Sequence, residues 1–410
     1  MQGAQRLALA QQKYRSVCGQ KNGEELSDII RLDSLYTKRV LDDIWAADGS
    51  LLVLESTEPH GVWNEIVLSH LRSAAAYKQG NFVDAYTFQL HSYNAFLRAF
   101  RHMTLWGIHT LYAMCRDLYR VACMADKQLP PPMADGSSAH STKIEEATRA
   151  INQGFSMCMT DREPLLSKSR KWGTYHMANL LFSLYLRLKM YNLCDSMIRA
   201  IKTSELPVLA RFPMSDQVTF RYYRGMLAFR NESYKAAKED LLFALEHCHC
   251  DSYTNKTRIL TYLTPIMLAE GSTPQSRLLR RYPPIKALYG EIAKAARAGN
   301  LSRFDQIVEE KEHRFVTIGV FLAVERVRKV VVRQLLRKIY LIEGEPSRIS
   351  FQRFCDGLAA AGIHGVDVPE MEAILADMIF CGYIKGYLSQ GHGIAVLSKQ
   401  QPFPPLSGLL

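Results

Sequence analysis

Glu246-His247-Cys248-His249-Cys250 places four soft or borderline metal ligands in a row. Zinc usually closes its tetrahedron with two pairs of ligands from separated segments, and the chain has no second Cys-x-x-Cys or His-x-x-x-His pair. A His-x-His metalloprotease site also needs a serine and an aspartate at fixed spacing. Thr257 and Leu260 stand at those positions. The segment therefore reads as a helix C-terminus, with histidine near the negative end of the helix dipole. Gly-x-Ser-x-Gly, His-Glu-x-x-His, P-loop and Gly-x-Gly-x-x-Gly motifs are all missing, so hydrolase, zinc-protease, nucleotidase and dinucleotide readings lack their signatures. No catalysis and no cofactor are expected. Phe220, Tyr222, Tyr223 and Trp172 sit among small residues at helical spacing and read as packing groups.

The remaining chemistry is cationic. In the run Glu325 to Tyr340, Val327, Val330, Val331, Leu335 and Ile339 recur at helical spacing, with Arg326, Lys329, Arg333 and Arg337 on another stripe. The whole chain carries 51 basic and 40 acidic residues, a net +11. The window Arg277 to Lys338 holds 15 Lys/Arg and 6 Asp/Glu, so +9 of that charge is local. An anionic partner, nucleic acid or an acidic protein, is the expectation.

These residues need elements to position them. A chain of 410 residues, 48% apolar and 22% charged, exceeds what one core usually serves and suits either several packed units or a repeat array. No apolar stretch is long enough for a membrane span, so no membrane insertion is expected. The start, MQGAQRLALAQQKYR, lacks a secretory pattern, and nine irregularly spaced cysteines fit reduced thiols in a chain that stays inside the cell. Amphipathic helical runs dominate from Asn64 to about Tyr340. Gly80-Asn81 and Gly299-Asn300 punctuate helical hairpins, with Tyr191/Cys194 and Tyr234/Ala237 at equivalent places in two more. Gly225, Ala237, Leu241 and Ala244 stand at tetratricopeptide offsets. Residues 64–324 therefore predict a repeat array with a mobile Pro/Gly/Ser-rich loop at 129–141, preceded by a helical segment over 1–63.

After Tyr340 the pattern changes to a short extended piece at Arg348-Ile349-Ser350, helices Phe351 to Ala361 and Pro369 to Phe380, and two β-like runs joined across Gln390-Gly391-His392-Gly393. With the basic helix in front, this is a winged helix over 325–400, followed by an extended tail, 401–410, packed by Phe403. The fold class is an all-α superhelix of TPR-like helical hairpins ending in a C-terminal winged helix. In a DNA-reading winged helix the second helix enters the major groove. Here that helix carries Glu370, Glu372 and Asp377 and no cation, so it is not expected to read bases. Nucleic acid would instead lie on Arg328, Lys329, Arg333, Arg337, Lys338, Arg348, Arg353, Lys385, His392 and Lys399, held by its phosphates with little sequence preference. A strand edge at GYIKGYLS or GIAVLS offers a second use, pairing with a partner through Ile384 and Tyr387.

A helical array running into a winged helix resembles the PCI domain, and the resemblance sharpens at SRKWGTYHMANLLFSLYLRL, YYRGMLAF, FALEHCH, GYIKGYLS and PFPPLS. These segments are similar to the branch that holds the PCI-domain-containing protein 2 group, fungal Thp-one and signalosome subunit twelve. The resemblance implies a non-enzymatic nuclear scaffold with a cytoplasmic pool. Its implied partners are a second PCI subunit of Sac-three or GANP type, a small acidic disordered protein of Sem-one or DSS-one type, and RNA or DNA. In one branch such a scaffold couples transcription to mRNA export at nuclear pores; in the other it acts in elongation or splicing as a protein-interaction subunit.

Overall fold

A computed structural model describes residues 2–48, 61–129 and 142–406. Most of the loop expected at 129–141 lies outside the described residues. The chain forms two compact units, Met1–Phe220 and Arg221–Leu410.

The first unit is helical throughout its described elements: α1 (Gln2–Gly19), α2 (Gly23–Ile29), α3 (Leu35–Asp48), α4 (Val62–Lys78), α5 (Phe82–Phe100), α6 (Ile108–Gln128), α7 (Lys143–Met159), α8 (Thr174–Arg187) and α9 (Tyr191–Thr203), with 3₁₀ turns between some of them. Each helix buries one stripe. In α6, Leu111, Met114, Cys115, Leu118, Val121, Ala122 and Ala125 recur three or four apart and are all buried. The N-terminal segment is tied in by a long-range polar contact, because buried Asp117 of α6 accepts the Leu32 amide at 2.8 Å. At Gly80-Asn81 the glycine takes φ +79° and Asn81 caps α5 by accepting the Asp84 amide.

The second unit begins within α10 (Met214–Arg230) and continues with α11 (Tyr234–His247), α12 (Tyr253–Ala269), α13 (Ser276–Arg281), α14 (Pro283–Ala298), α15 (Leu301–Ile318) and α16 (Phe321–Ile342). The tetratricopeptide-like offsets have a steric basis. A Cβ on Gly225 would stand 3.0 Å from Leu241 Cγ and 3.1 Å from Asp240 Cβ, so α10 and α11 approach closely where glycine stands. Two hairpins lack a glycine at the turn. There Lys189 (φ 58°) and Glu232 (φ 56°) take the left-handed conformation instead.

Past α16 come β1 (Arg348–Ser350), α17 (Phe351–Ala360), α18 (Val368–Phe380), β2 (Gly386–Ser389) and β3 (Ile394–Leu397). The sheet is antiparallel in the order β1-β3-β2, which completes a winged helix. Both strands of the expected hairpin are shorter than their β-like runs. Residues 390–392 form a 3₁₀ turn closed by Gly393 at φ +62°. The five apolar residues read along α16 are all buried.

Gly299 joins the array to this module. It caps α14 at φ +63°, and a Cβ there would lie 2.9 Å from the Leu335 backbone nitrogen of α16. A side chain would combine left-handed strain with a backbone clash. Gly299→Ala is expected to cost about 2–4 kcal/mol, read as a lower urea midpoint with an unchanged slope.

Candidate nucleic-acid and partner interface

The basic stripe of α16 is largely consumed inside the unit. Arg328 makes two hydrogen bonds to Asp305, Nε to Oδ1 at 2.9 Å and Nη2 to Oδ2 at 3.0 Å, and the carboxylate pushes the guanidinium further up its ordinary range. Lys329 reaches Asp377 at 2.9 Å, and that hydrogen bond raises the ammonium above its usual value. One of the three acids that disqualify α18 from a DNA groove thus binds the stripe intramolecularly. Lys338 donates to the Ala298 carbonyl at 2.5 Å, satisfying an end group of α14.

Arg333 is a correction. Its expected place on the cationic face is wrong, because the residue is only 8% exposed. Its Nε and Nη2 donate to the carbonyls of Tyr383 (3.3 Å) and Pro404 (2.6 Å), and its guanidinium lies 5.8 Å from the Phe403 ring centroid. Burial lowers its affinity for the proton, with the Arg337 charge adding to that effect. The residue buckles the C-terminal tail down. The Lys385 amide donates to Pro402, Phe403 packs on Tyr340 at 5.4 Å, and Leu406 is buried over Gly271.

Ile384 is the second correction. It was expected on a strand edge for a partner, but it precedes β2 and is 1% exposed, so it belongs to the core. Tyr387 is 63% exposed.

Arg337, Arg348, Lys385, His392 and Lys399 are exposed and take part in no ion pair among the described residues, while Arg353 stands 3.9 Å from Glu343. Strand register brings several of them together. Arg348 pairs with Val396, Val396 with Tyr387, and the Ser398 amide donates to the Lys385 carbonyl. Directly opposed residues share a face of a sheet, as do residues two apart along a strand. The outward face therefore carries Arg348, Tyr387 and Lys385. Ile349, Ala395 and Leu397 are buried on the other face. An exposed ring that shares a face with two cations can stack a base while they neutralise its phosphates.

A second surface escaped the sequence reading. In α18, Val368, Met371, Ile374, Leu375, Met378, Ile379 and Phe380 exceed what one buried stripe needs, and only Met371, Leu375 and Met378 are buried. Phe380 is 91% exposed, and Ile342, at the end of α16, is 83% exposed. The signal was present in the sequence, since a helix apolar on several sides is expected to be covered on several sides. Between α16 and α18 runs a groove of about 480 Å³ whose lining includes Val332, Leu336, Ile374 and Met378.

At the segment first considered for metal, His247 ends α11, with Nδ1 3.0 Å from the Phe243 carbonyl. The exposed His249, Cys250 and Asp251 bring their ligand atoms within 4.8 Å of one another. Cys248 is buried, as a small apolar group. No helix among the described residues is long and apolar enough to cross a membrane.

A PCI domain model matches residues 299–399, from the Gly299 turn to just past β3. Along most of its length the chain is also similar to characterised sequences. It is 33% identical over 347 residues to PCI domain-containing protein 2 of Xenopus laevis, covering 84% of this chain and 85% of that protein. It is 35% identical over 363 residues to a Protein CSN12 homolog of Schizosaccharomyces pombe, covering 83% of each. It is 33% identical over 367 residues to Enhanced ethylene response protein 5 of Arabidopsis thaliana, covering 88% of this chain and 85% of that protein.

Proposed function

As the chain belongs to the PCI-domain family, in the group of PCI domain-containing protein 2 and the CSN12 homologs, we propose that it is a non-enzymatic scaffold subunit of a nuclear, transcription-coupled mRNA-export assembly. It pairs with a second PCI subunit and a small acidic protein, and it holds RNA or DNA on its winged helix. The observation that carries the nucleic-acid part is the outward sheet face, which exposed Tyr387 shares with Arg348 and Lys385. The acidic α18 and the internally paired Arg328 and Lys329 direct nucleic acid away from the helix and onto the wing. A second reading, a signalosome-twelve-like subunit that binds only proteins, is favoured by Phe380 and Ile342, whose apolar surface suits a protein partner. The two readings use different surfaces and part on whether the wing holds nucleic acid.

Gel shifts with short single- and double-stranded RNA and DNA separate them. Backbone holding by a few cations predicts an affinity that falls about 10–50-fold between about 50 and 200 mM salt, with little sequence preference. Charge reversal at Arg348 and Lys385 together is expected to abolish the shift at the higher salt. Binding that ignores salt, or survives that reversal, would refute the wing as the holding surface.

A further inference from the structure

A pocket of about 590 Å³ opens on the first unit, where three segments distant in sequence meet. They are the turn between α1 and α2, the 3₁₀ turn Leu105–Gly107 ahead of α6, and the 3₁₀ turn Leu166–Lys168. The volume is that of a small-ligand site. Lys21, Glu24, Trp106 and Lys168 belong to its lining. The two lysines and Glu24 are exposed, and Trp106 is half-buried. None of the three charges takes part in an ion pair among the described residues.

The local backbone fixes these groups. Lys21 follows α1 in the left-handed conformation at φ 54°. The Asn22 side chain caps α2 by accepting the Glu25 amide, and it donates to the Glu25 carboxylate at 3.2 Å. Lys13 engages the same carboxylate. Glu25 is therefore spent inside the turn, while the Glu24 carboxylate beside it is left without a partner. Gly23 brings the turn against Trp106: a Cβ there would lie 1.7 Å from the Trp106 carbonyl oxygen, so only glycine permits the approach. The Trp106 indole N–H has no hydrogen-bond partner among the described residues, whereas that of Trp172 donates to the Leu166 carbonyl at 2.7 Å. A ring to stack on, two unpaired ammonium groups and one unpaired carboxylate are the groups that a base and its phosphate need.

We propose that this pocket binds a guanine nucleotide, with its base stacked on Trp106, its phosphate held by Lys21 and Lys168, and its edge read by Glu24. A carboxylate has two acceptor oxygens and no donor. Guanine alone among the four RNA bases presents two adjacent donors, N1–H and N2–H, on its Watson–Crick edge, and so satisfies both oxygens. Adenine, cytosine and uracil each set a lone pair next to their donor there, against the second oxygen. A free nucleotide and a guanosine within single-stranded RNA share this chemistry. The pocket lies in the first unit, and the proposal does not rest on the winged helix holding nucleic acid.

The test is tryptophan fluorescence of the full chain carrying Arg348→Glu and Lys385→Glu, so that the wing contributes no binding. The probes are GMP, AMP and a single-stranded RNA of about five residues holding one G, with its counterpart in which A replaces that G. The guanine probe is expected to quench part of the emission and the adenine one to bind at least about tenfold more weakly. Quenching by GMP assigns the pocket to free nucleotide, and quenching by the G-bearing RNA alone assigns it to a guanosine within a chain. Trp106→Phe should abolish the quench while calorimetry still detects the ligand, and Trp106→Ala should weaken binding about tenfold. Lys21→Glu with Lys168→Glu should weaken it about tenfold or more. Glu24→Gln should bring the guanine probe down to the level of the adenine one. The Glu24 and lysine changes fall on exposed residues, so an unchanged melting midpoint separates lost binding from lost folding. No quench by either guanine probe, a quench that survives Trp106→Phe, or guanine and adenine probes bound alike, overturns the proposal. Such a failure leaves the wing reading standing, because the wing is tested by gel shift on the original chain.

Discussion

Ile384→Asp is expected to leave the winged helix unfolded, whereas Tyr387→Asp, three residues on, leaves it intact and removes its interactions. The two side chains lie close in sequence but in opposite environments, 1% and 63% exposed. A carboxylate buried at 384 must be desolvated or protonated, at a cost above about 4 kcal/mol. That is a large part of the about 5–15 kcal/mol that holds a domain together. At 387 the change removes a ring from a solvated sheet face and costs about 1 kcal/mol through lost strand preference. Circular dichroism and urea melts of each variant, followed by gel shift and partner co-purification, give the comparison. A stable Ile384→Asp protein would contradict the described core. A Tyr387→Asp protein with unchanged RNA and partner binding would remove the wing from both proposed roles.

The second large effect belongs to Arg333. Replacing it with leucine leaves the carbonyls of Tyr383 and Pro404 without their charged donor, and each buried orphan is costly. The expected loss is about 2–4 kcal/mol. It should be felt first in the tail, because Pro402 to Leu406 are held by this guanidinium, by the Lys385 amide and by Leu406 over Gly271. Hydrogen exchange is the direct readout: the Lys385 amide, bonded to the Pro402 carbonyl at 2.8 Å, should lose protection, and proteases should cut after residue 399. Arg333→Lys should recover only part of the protection, since one ammonium cannot reproduce the planar fork. Unchanged exchange at Lys385 in the leucine variant would mean that the tail is held by its apolar contacts alone.

Much of the fold could be read from the sequence for local reasons. The α16 stripe, the Gly80-Asn81 and Gly299-Asn300 turns and the order of winged-helix elements follow from periodicity and glycine conformation, which act within a few residues. The register of the sheet is a different matter. Nothing in RIS, GYLS or IAVL taken alone aligns Arg348 with Val396 and Val396 with Tyr387, and that alignment assembles the candidate wing surface.

The charge count shows the same division. Composition located +9 of the net +11 between Arg277 and Lys338, and it was sound as a statement about residues. Which of those charges are paired or buried was decided by partners elsewhere in the chain: Asp305 for Arg328, Asp377 for Lys329, and Pro404 for Arg333. A helical wheel places Arg333 with Arg326 and Arg337, yet the returning tail covers one and leaves the last exposed. Sequence alone determined which segments are helices, where they turn, and that the array ends in a winged helix, because those depend on neighbours. Only the tertiary structure decided which cations are buckles and which are open surface, because pairing and desolvation depend on what the rest of the chain brings within a few ångströms.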